Sequence, residues 1–251
     1  MRGRGDMDDL IVRLTKGQVD RLGDRLRKGD IGDDDLRLLD NYRRSFSEAY
    51  EIVVGQIRDQ LGLEPTGRQE KTTPSIKAKL RRQSIRLSQM QDIAGCRIVV
   101  TDLLTQDEAV GRLNTSFDNV EIDDRREKPS HGYRAVHVIV EISGKLIEIQ
   151  VRTALQHLWA EVSEKLADVD PSIKYGVGDR DMLIALNVMS KKIRDQELTE
   201  AAYFRIMDSD DEDEIIPEGP KLTEIMEGRL SIVRMLEVLG EVLPRMKGQN
   251  R

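Results

Sequence analysis

HGYRAVHVIVEISGKLIEIQVRT, residues His131 to Thr153, carries the clearest strand signal in the chain and decides how the fold is read. Two alternating runs rich in β-branched residues flank Ser143-Gly144-Lys145, a pattern that predicts a hairpin closed by a short glycine-containing turn. In the second run Ile147, Ile149 and Val151 fall on one face, while Glu148, Gln150 and Arg152 fall on the other. In the first run Tyr133, Ala135, His137 and Ile139 share a face. A sheet with one apolar face and one face of Tyr, His, Glu, Gln and Arg is either a solvated outer surface or the floor of a polar site.

The residues upstream bear on that choice. In GRQEKTTPSIKAKLRRQSIRL, from Gly67 to Leu87, Thr73 is placed to cap a helix that has Pro74 at its first position, which makes Ser75 and its neighbours the exposed amide end. Ser75 and Lys79 are four apart on one helical face, with Arg68 and Lys71 on the approach. A helix N-terminus, a hydroxyl and two lysines at one point make an anion site suited to polyphosphate; the alternative is an ordinary basic helix. Gln91-Asp92-Ile93-Ala94-Gly95-Cys96-Arg97-Ile98-Val99-Val100 then enters a buried strand with an acidic residue at its start. Asp92 alone reads as a turn residue or cap. Paired with Glu148 and a phosphate cradle it becomes a candidate magnesium ligand, because magnesium is held by one or two carboxylates plus substrate phosphates.

The rest of the chain reads as scaffold. Its 251 residues carry a formal net charge of −6, 34% charged residues and only 4% aromatic ones, which fits a helix-rich protein with room for a sizeable core. The lone cysteine, Cys96, sits in an apolar run as a core thiol, so neither a disulfide framework nor a cysteine zinc site is expected. No signal region or membrane span is visible, and the expectation is a cytoplasmic protein without membrane contact. Thr15-x-x-Gln18 forms a capping box, and a helical apolar period runs from Asp33 to Leu61. Arg43, Arg44, Arg125 and Arg126 read as solvated charges that can touch a polyanion. Asp107 to Phe117 and Asp181 to Glu197 read as helices, and Val120 to Asp124 as a strand. Trp159 is expected as a core anchor on the helix that follows the hairpin. An acidic run beginning at Asp208 precedes a terminal amphipathic helix suited to self-association or to packing back on the N-terminal helices.

Four of these stretches together, KTTPSIKAKL from Lys71, QDIAGCRIVV from Gln91, HGYRAVH from His131 and EIQVRT from Glu148, resemble the synthetase domain of the RelA/SpoT family. That family transfers pyrophosphate from ATP to the 3′-hydroxyl of a guanine nucleotide, making guanosine tetra- and pentaphosphate. The resemblance implies an α/β (α+β) fold, a nucleotidyltransferase-like mixed sheet flanked by helices, with helical N- and C-terminal extensions. It divides the chain into an N-terminal helical region 1–66, a synthetase core 67–170 and a C-terminal helical extension 171–251 with an acidic linker at 208–220.

Carried onto this sequence, the resemblance assigns Asp92 and Glu148 to catalysis and to magnesium, with Glu148 activating the acceptor hydroxyl. It assigns Lys71, Ser75 and Lys79 to the ATP phosphates, and Arg68 and Arg97 to the adenine, a planar guanidinium being suited to stacking. Tyr133 would stack on the acceptor base, with His137, Gln150 and Arg152 lining the acceptor side. Two spacings depart from the family pattern: Arg68 precedes Lys71 by three where Arg-x-Lys is common, and the loop from Lys128 to Tyr133 is one residue longer than the usual Lys-Pro-Asn-Gly-Tyr. With no histidine-aspartate hydrolase domain ahead of the synthetase stretch, the expected relatives are small alarmone synthetases or related toxins that pyrophosphorylate the tRNA 3′ end. A toxin would bring tRNA and an antitoxin as partners, a synthetase a homo-oligomer through its terminal helices. The remaining alternative, from another class, is a catalytically inactive nucleotide-binding protein.

Overall fold

The computed structural model describes residues 14–68, 70–129, 131–177, 179–208 and 221–249, apart from the side chains of residues 68, 174, 175 and 244–249. The expected acidic linker therefore falls, beyond Asp208, outside the described residues. The helices are α1 (Lys16–Lys28), α2 (Asp33–Arg44), α3 (Ser47–Gln56), α4 (Thr73–Arg82), α5 (Leu103–Ser116), α6 (Ala154–Val169), α7 (Arg180–Met207) and α8 (Leu222–Gln249). The strands are β1 (Thr66–Arg68), β2 (Ala94–Val100), β3 (Val120–Asp124), β4 (Val136–Ile142) and β5 (Lys145–Thr153), in the sheet order β1-β2-β5-β4-β3. This is the mixed α/β sheet flanked by helices that the resemblance implied.

The hairpin forms as the alternation predicts, with a turn of two residues. Ser143 at φ 51° and Gly144 at φ 74° both take the left-handed conformation that a type I′ turn requires, so Lys145 already belongs to β5. Ile147, Ile149 and Val151 are fully buried, whereas Glu148 and Gln150 are only half-buried.

The chain divides into two compact units, 1–97 with 116–121 and 139–149, and 98–115 with 122–138 and 150–251. In the first, the N-terminal helices buttress α4. The Thr15 box closes α1, with the Gln18 amide donating to the Thr15 hydroxyl at 3.3 Å and the Thr15 amide to Gln18 Oε1 at 2.8 Å. Arg27 of α1 donates to the carbonyl of Leu80 at 2.8 Å, satisfying a carbonyl at the C-terminal end of α4. The helical period from Asp33 to Leu61 is broken in two. Phe46 N bonds to Arg43 O at 3.0 Å, a tight turn that separates α2 from α3, and a π-helical turn at Ile57–Leu61 ends the run. Leu39, Tyr42, Phe46, Val53 and Ile57 stay buried across the break, which is why the apolar period hides it.

In the second unit α6, α7 and α8 share a core that includes Leu155, Trp159, Val162, Ile193, Ile232 and Leu236. The apolar stripe of α8 thus meets α6 and α7 where the N-terminal helices were the expected partners, while Met226, Leu230 and Val238 stay exposed. Helix α5 begins four residues before the span that periodicity marked, at Leu103, and α7 runs past its marked end as far as Met207.

A buried polar knot ties the end of β5 to α5 and α7. The Thr153 hydroxyl donates to Glu197, Gln156 Nε2 reaches Glu197 Oε2 at 3.2 Å, and Gln106 Nε2 donates to the Val151 carbonyl at 2.8 Å. Burial raises the Glu197 carboxyl above its ordinary value, and the hydrogen bonds from Thr153 and Gln156 only partly oppose this. A carboxyl whose folded pKa is raised adds stability below the ordinary carboxylate range and forfeits it as pH climbs through the raised value. Urea midpoints are therefore expected to fall as pH rises from that range toward neutrality, and Glu197→Gln should flatten this dependence.

Candidate functional site

The first unit carries a lysine-and-carboxylate cluster at the join of β1, α4 and β2. Strand β1 pairs antiparallel with β2, Gly67 opposite Cys96 and Arg68 opposite Gly95. Both glycines are demanded by close approach: a Cβ at Gly67 would lie 2.7 Å from Cys96 Cα, and one at Gly95 would lie 2.5 Å from the Glu148 carbonyl oxygen. Sequence periodicity missed β1, because three residues are too few to show alternation. The pairing continues past the strand, with Lys71 N donating to Ile93 O at 2.7 Å, and this seats Lys71 next to Asp92. Arg43 Nη1 braces the same point by donating to the Lys71 carbonyl at 3.1 Å.

Asp92 lies between two lysines. Lys71 Nζ meets its Oδ2 at 2.8 Å and Lys79 Nζ its Oδ1 at 2.9 Å, with side-chain exposures of 12%, 21% and 18% for Lys71, Lys79 and Asp92. Burial opposes ionisation of Asp92, but the charges and hydrogen bonds of Lys79 and Lys71 outweigh it and hold the carboxyl below its ordinary range. Helix α4 begins one residue earlier than expected. Thr72 is the N-cap, since its carbonyl accepts the first helical bond from Ile76 N at 3.0 Å, and Pro74 therefore takes the second helical position. The Thr72 hydroxyl donates to Ser75 Oγ at 2.8 Å and makes no capping bond to a backbone amide. Lys79 follows Ser75 by one helical turn, as the spacing implied.

Glu148 stands on the polar face of β5 beside Gly95, and its charge reaches the Cys96 thiol. Burial pushes that thiol up to about 12, with the Glu148 charge adding to the shift. Arg97 is half-buried on β2, opposite Thr66. Arg68 is placed by its backbone alone, its side chain being outside the described residues. Among the described residues no group of three or more His, Cys, Asp or Glu is gathered as a metal cage. The donor set here is one carboxylate flanked by lysines, with a second on the neighbouring strand. That set fits magnesium, which uses one or two carboxylates and completes its shell with phosphates and water.

In the second unit Tyr133, His137, Gln150 and Arg152 form one chain of contacts. Arg152 Nη2 donates to Gln150 Oε1 at 2.8 Å and to the Tyr133 hydroxyl at 2.9 Å, and that hydroxyl lies 2.9 Å from His137 Nε2. The Arg152 guanidinium also lies over the Tyr133 ring, 5.0 Å from its centroid. His137 and Arg152 are only 3% and 2% exposed, whereas Tyr133 and Gln150 remain half-buried. The two buried groups thus act on the phenol and the amide that solvent can reach.

What aims Tyr133 lies partly outside the motif. His131 at φ 51° and Gly132 at φ 85° make a left-handed turn, and the Gly132 carbonyl accepts from Trp159 Nε1 at 2.8 Å and from Ser190 Oγ at 2.7 Å. Trp159 is the core anchor expected, and it also fixes the turn before Tyr133. Ser190, on α7, carries no signal in the sequence. Of the four arginines read as solvated, Arg43 and Arg126 are committed to the fold, whereas Arg44 is exposed and Arg125 pairs with Asp123 at 2.7 Å while keeping about a third of its side chain exposed. Arg43 is 13% exposed and bound to Asp40 and to the Lys71 carbonyl, and Arg126 Nη1 and Nη2 lie 2.6 Å from Asp107 and Asp124 respectively. Arginine side chains on loops and helix ends read as solvent-facing because sequence does not show which acids and carbonyls approach them.

The family described as the region found in RelA / SpoT proteins matches residues 68–167. This stretch, which spans β1 to α6, is a RelA/SpoT region. An uncharacterised protein of Mycobacterium tuberculosis is 41% identical over 114 residues, 44% of this chain and 40% of that protein. The chain thus matches about two-fifths of the length of that relative. A GTP pyrophosphokinase of Photobacterium angustum is 33% identical over 92 residues, 35% of this chain and 12% of the relative. Among solved structures, small alarmone synthetase 1 from Bacillus subtilis superposes with a TM-score of 0.51 and 26% identity, covering 70% of this chain and 98% of that one. The RelA/SpoT region contains every residue singled out for the donor and acceptor roles, from Arg68 to Arg152. No described helix is long and apolar enough to cross a membrane.

Proposed function

We propose that the chain is an ATP-dependent pyrophosphokinase that transfers pyrophosphate from ATP to the 3′-hydroxyl of GDP or GTP, with magnesium as cofactor. The observation that carries this reading is the mostly buried carboxylate of Asp92 held between Lys71, just before α4, and Lys79, in its last turn, inside a RelA/SpoT region. Similarity to a GTP pyrophosphokinase and to a small alarmone synthetase supports the same reaction class. The transferase core is the stretch 67–170, with 1–66 and 171–251 as helical scaffold.

In this reading Lys71, Lys79 and Ser75 bind the ATP phosphates, and Arg97 and Arg68 hold the adenine. Tyr133 stacks on the acceptor base, with Arg152 and His137 fixing its ring and Gln150 beside it. Glu148 takes the proton from the 3′-hydroxyl as the new O3′–Pβ bond forms and the Pα–O–Pβ bridge breaks, leaving AMP. Asp92 and Glu148 would hold magnesium, which when bound neutralises charge on the transferring phosphates. Most of the chemistry asked of the protein is then positioning and charge neutralisation.

A tRNA acceptor would lean on basic groups outside the pocket. The internal bonds of Arg43 and Arg126 favour a free nucleotide instead. The test is transfer of label from β- or γ-labelled ATP in the presence of GDP, GTP, GMP or total tRNA. Label is expected in GDP or GTP. Label in tRNA with free nucleotides silent would overturn the acceptor, and no transfer to any of them would overturn the enzyme.

A further inference from the structure

Lys71 lies just before α4 and Lys79 in its last turn, and each of these two cations is engaged by the same carboxylate, at 2.8 and 2.9 Å. The arrangement is anchored and not a chance surface contact: Lys71 is pinned through its backbone to Ile93 and Arg43, Lys79 by the helix, and Asp92 by the turn into β2. All three side chains are mostly buried, so the pairs are poorly screened by salt. A polyphosphate arriving without metal would have to separate both lysines from Asp92 and then lie against the freed carboxylate, charge against like charge. With a divalent cation on the phosphates, Asp92 has a positive partner to turn to, and Lys71 and Lys79 are released to phosphate oxygens.

We propose that Asp92 makes this site selective for metal-complexed polyphosphate over the metal-free form, by holding Lys71 and Lys79 until a divalent cation takes its carboxylate. The inference rests on the donor-site reading above and adds a specificity role to Asp92 that is separate from catalysis.

Binding, measured by calorimetry on the full chain, tests it. The probes are inorganic tripolyphosphate and a non-transferable ATP analogue, each in magnesium and in EDTA, against wild type and Asp92→Asn. Wild type is expected to bind both probes at least tenfold more weakly in EDTA than in magnesium. In EDTA the Asp92→Asn protein should bind them at least tenfold more tightly than wild type does, and magnesium should no longer help it.

Equal wild-type affinities in EDTA and magnesium would overturn the selectivity while leaving ATP as donor, and that comparison needs no variant to fold. An Asp92→Asn protein with a wild-type melting curve and no gain in EDTA would overturn it as well. Tripolyphosphate behaving as expected while the ATP analogue fails to bind would sustain the selectivity and sink ATP as the donor. Failure of wild type to bind either probe in magnesium would overturn both.

Discussion

Glu148→Gln lowers the rate of pyrophosphate transfer by roughly a hundredfold or more, the usual effect of removing a proton-transfer or electrostatic group from an active site. The substitution keeps the shape and removes the charge. Glu148 is half-buried on the polar face of β5, between the buried apolar positions Ile147 and Ile149, so its loss leaves the core untouched. The melting temperature should therefore stay close to wild type. A steady-state assay with labelled ATP and GDP, beside a thermal melt, checks both halves. Wild-type turnover in the Glu148→Gln protein would remove Glu148 from the mechanism, and a collapsed melt would mean that the loss of activity says nothing about catalysis.

Gly95→Ala is expected to damage both stability and activity, for a geometric reason. The new methyl would sit 2.5 Å from the Glu148 carbonyl oxygen, and backbone cannot swing aside as a flexible side chain can. Strand β2 must move away from β5, at a cost of about 1–3 kcal/mol by comparison with other overpacked interiors. Asp92 lies three residues before Gly95 and Glu148 directly beside it, so the shift moves the two proposed catalytic carboxylates relative to each other. Misplacement by an ångström can cost on the order of a hundredfold in rate. Urea denaturation should show a lowered midpoint, and the folded fraction should remain impaired in transfer. A Gly95→Ala protein with an unchanged midpoint and wild-type turnover would show that β2 and β5 have room to spare at this point, against the close approach argued here.

The parts of this protein that the amino-acid order determined by itself are those in which the signal is local. Alternation from Val136 to Thr153 placed the hairpin, its glycine turn and the parity of Glu148, Gln150 and Arg152 against Ile147, Ile149 and Val151, because side-chain direction along a strand depends only on position. The Thr15 box and the start of α4 within one residue were legible for the same reason, since caps are local hydrogen bonds. The tertiary structure alone decided that β1 exists and pairs with β2, and that Gly95 admits the Glu148 carbonyl at a distance no side chain would allow. It also decided that Lys71 and Lys79 close on Asp92, that Arg43 and Arg126 turn inward, and that Ser190 and Trp159 hold the carbonyl before Tyr133. Those contacts join residues far apart in the chain. Which partner each buried charge or carbonyl finds depends on how close the packed elements let their backbones come, and no periodicity in the sequence records that.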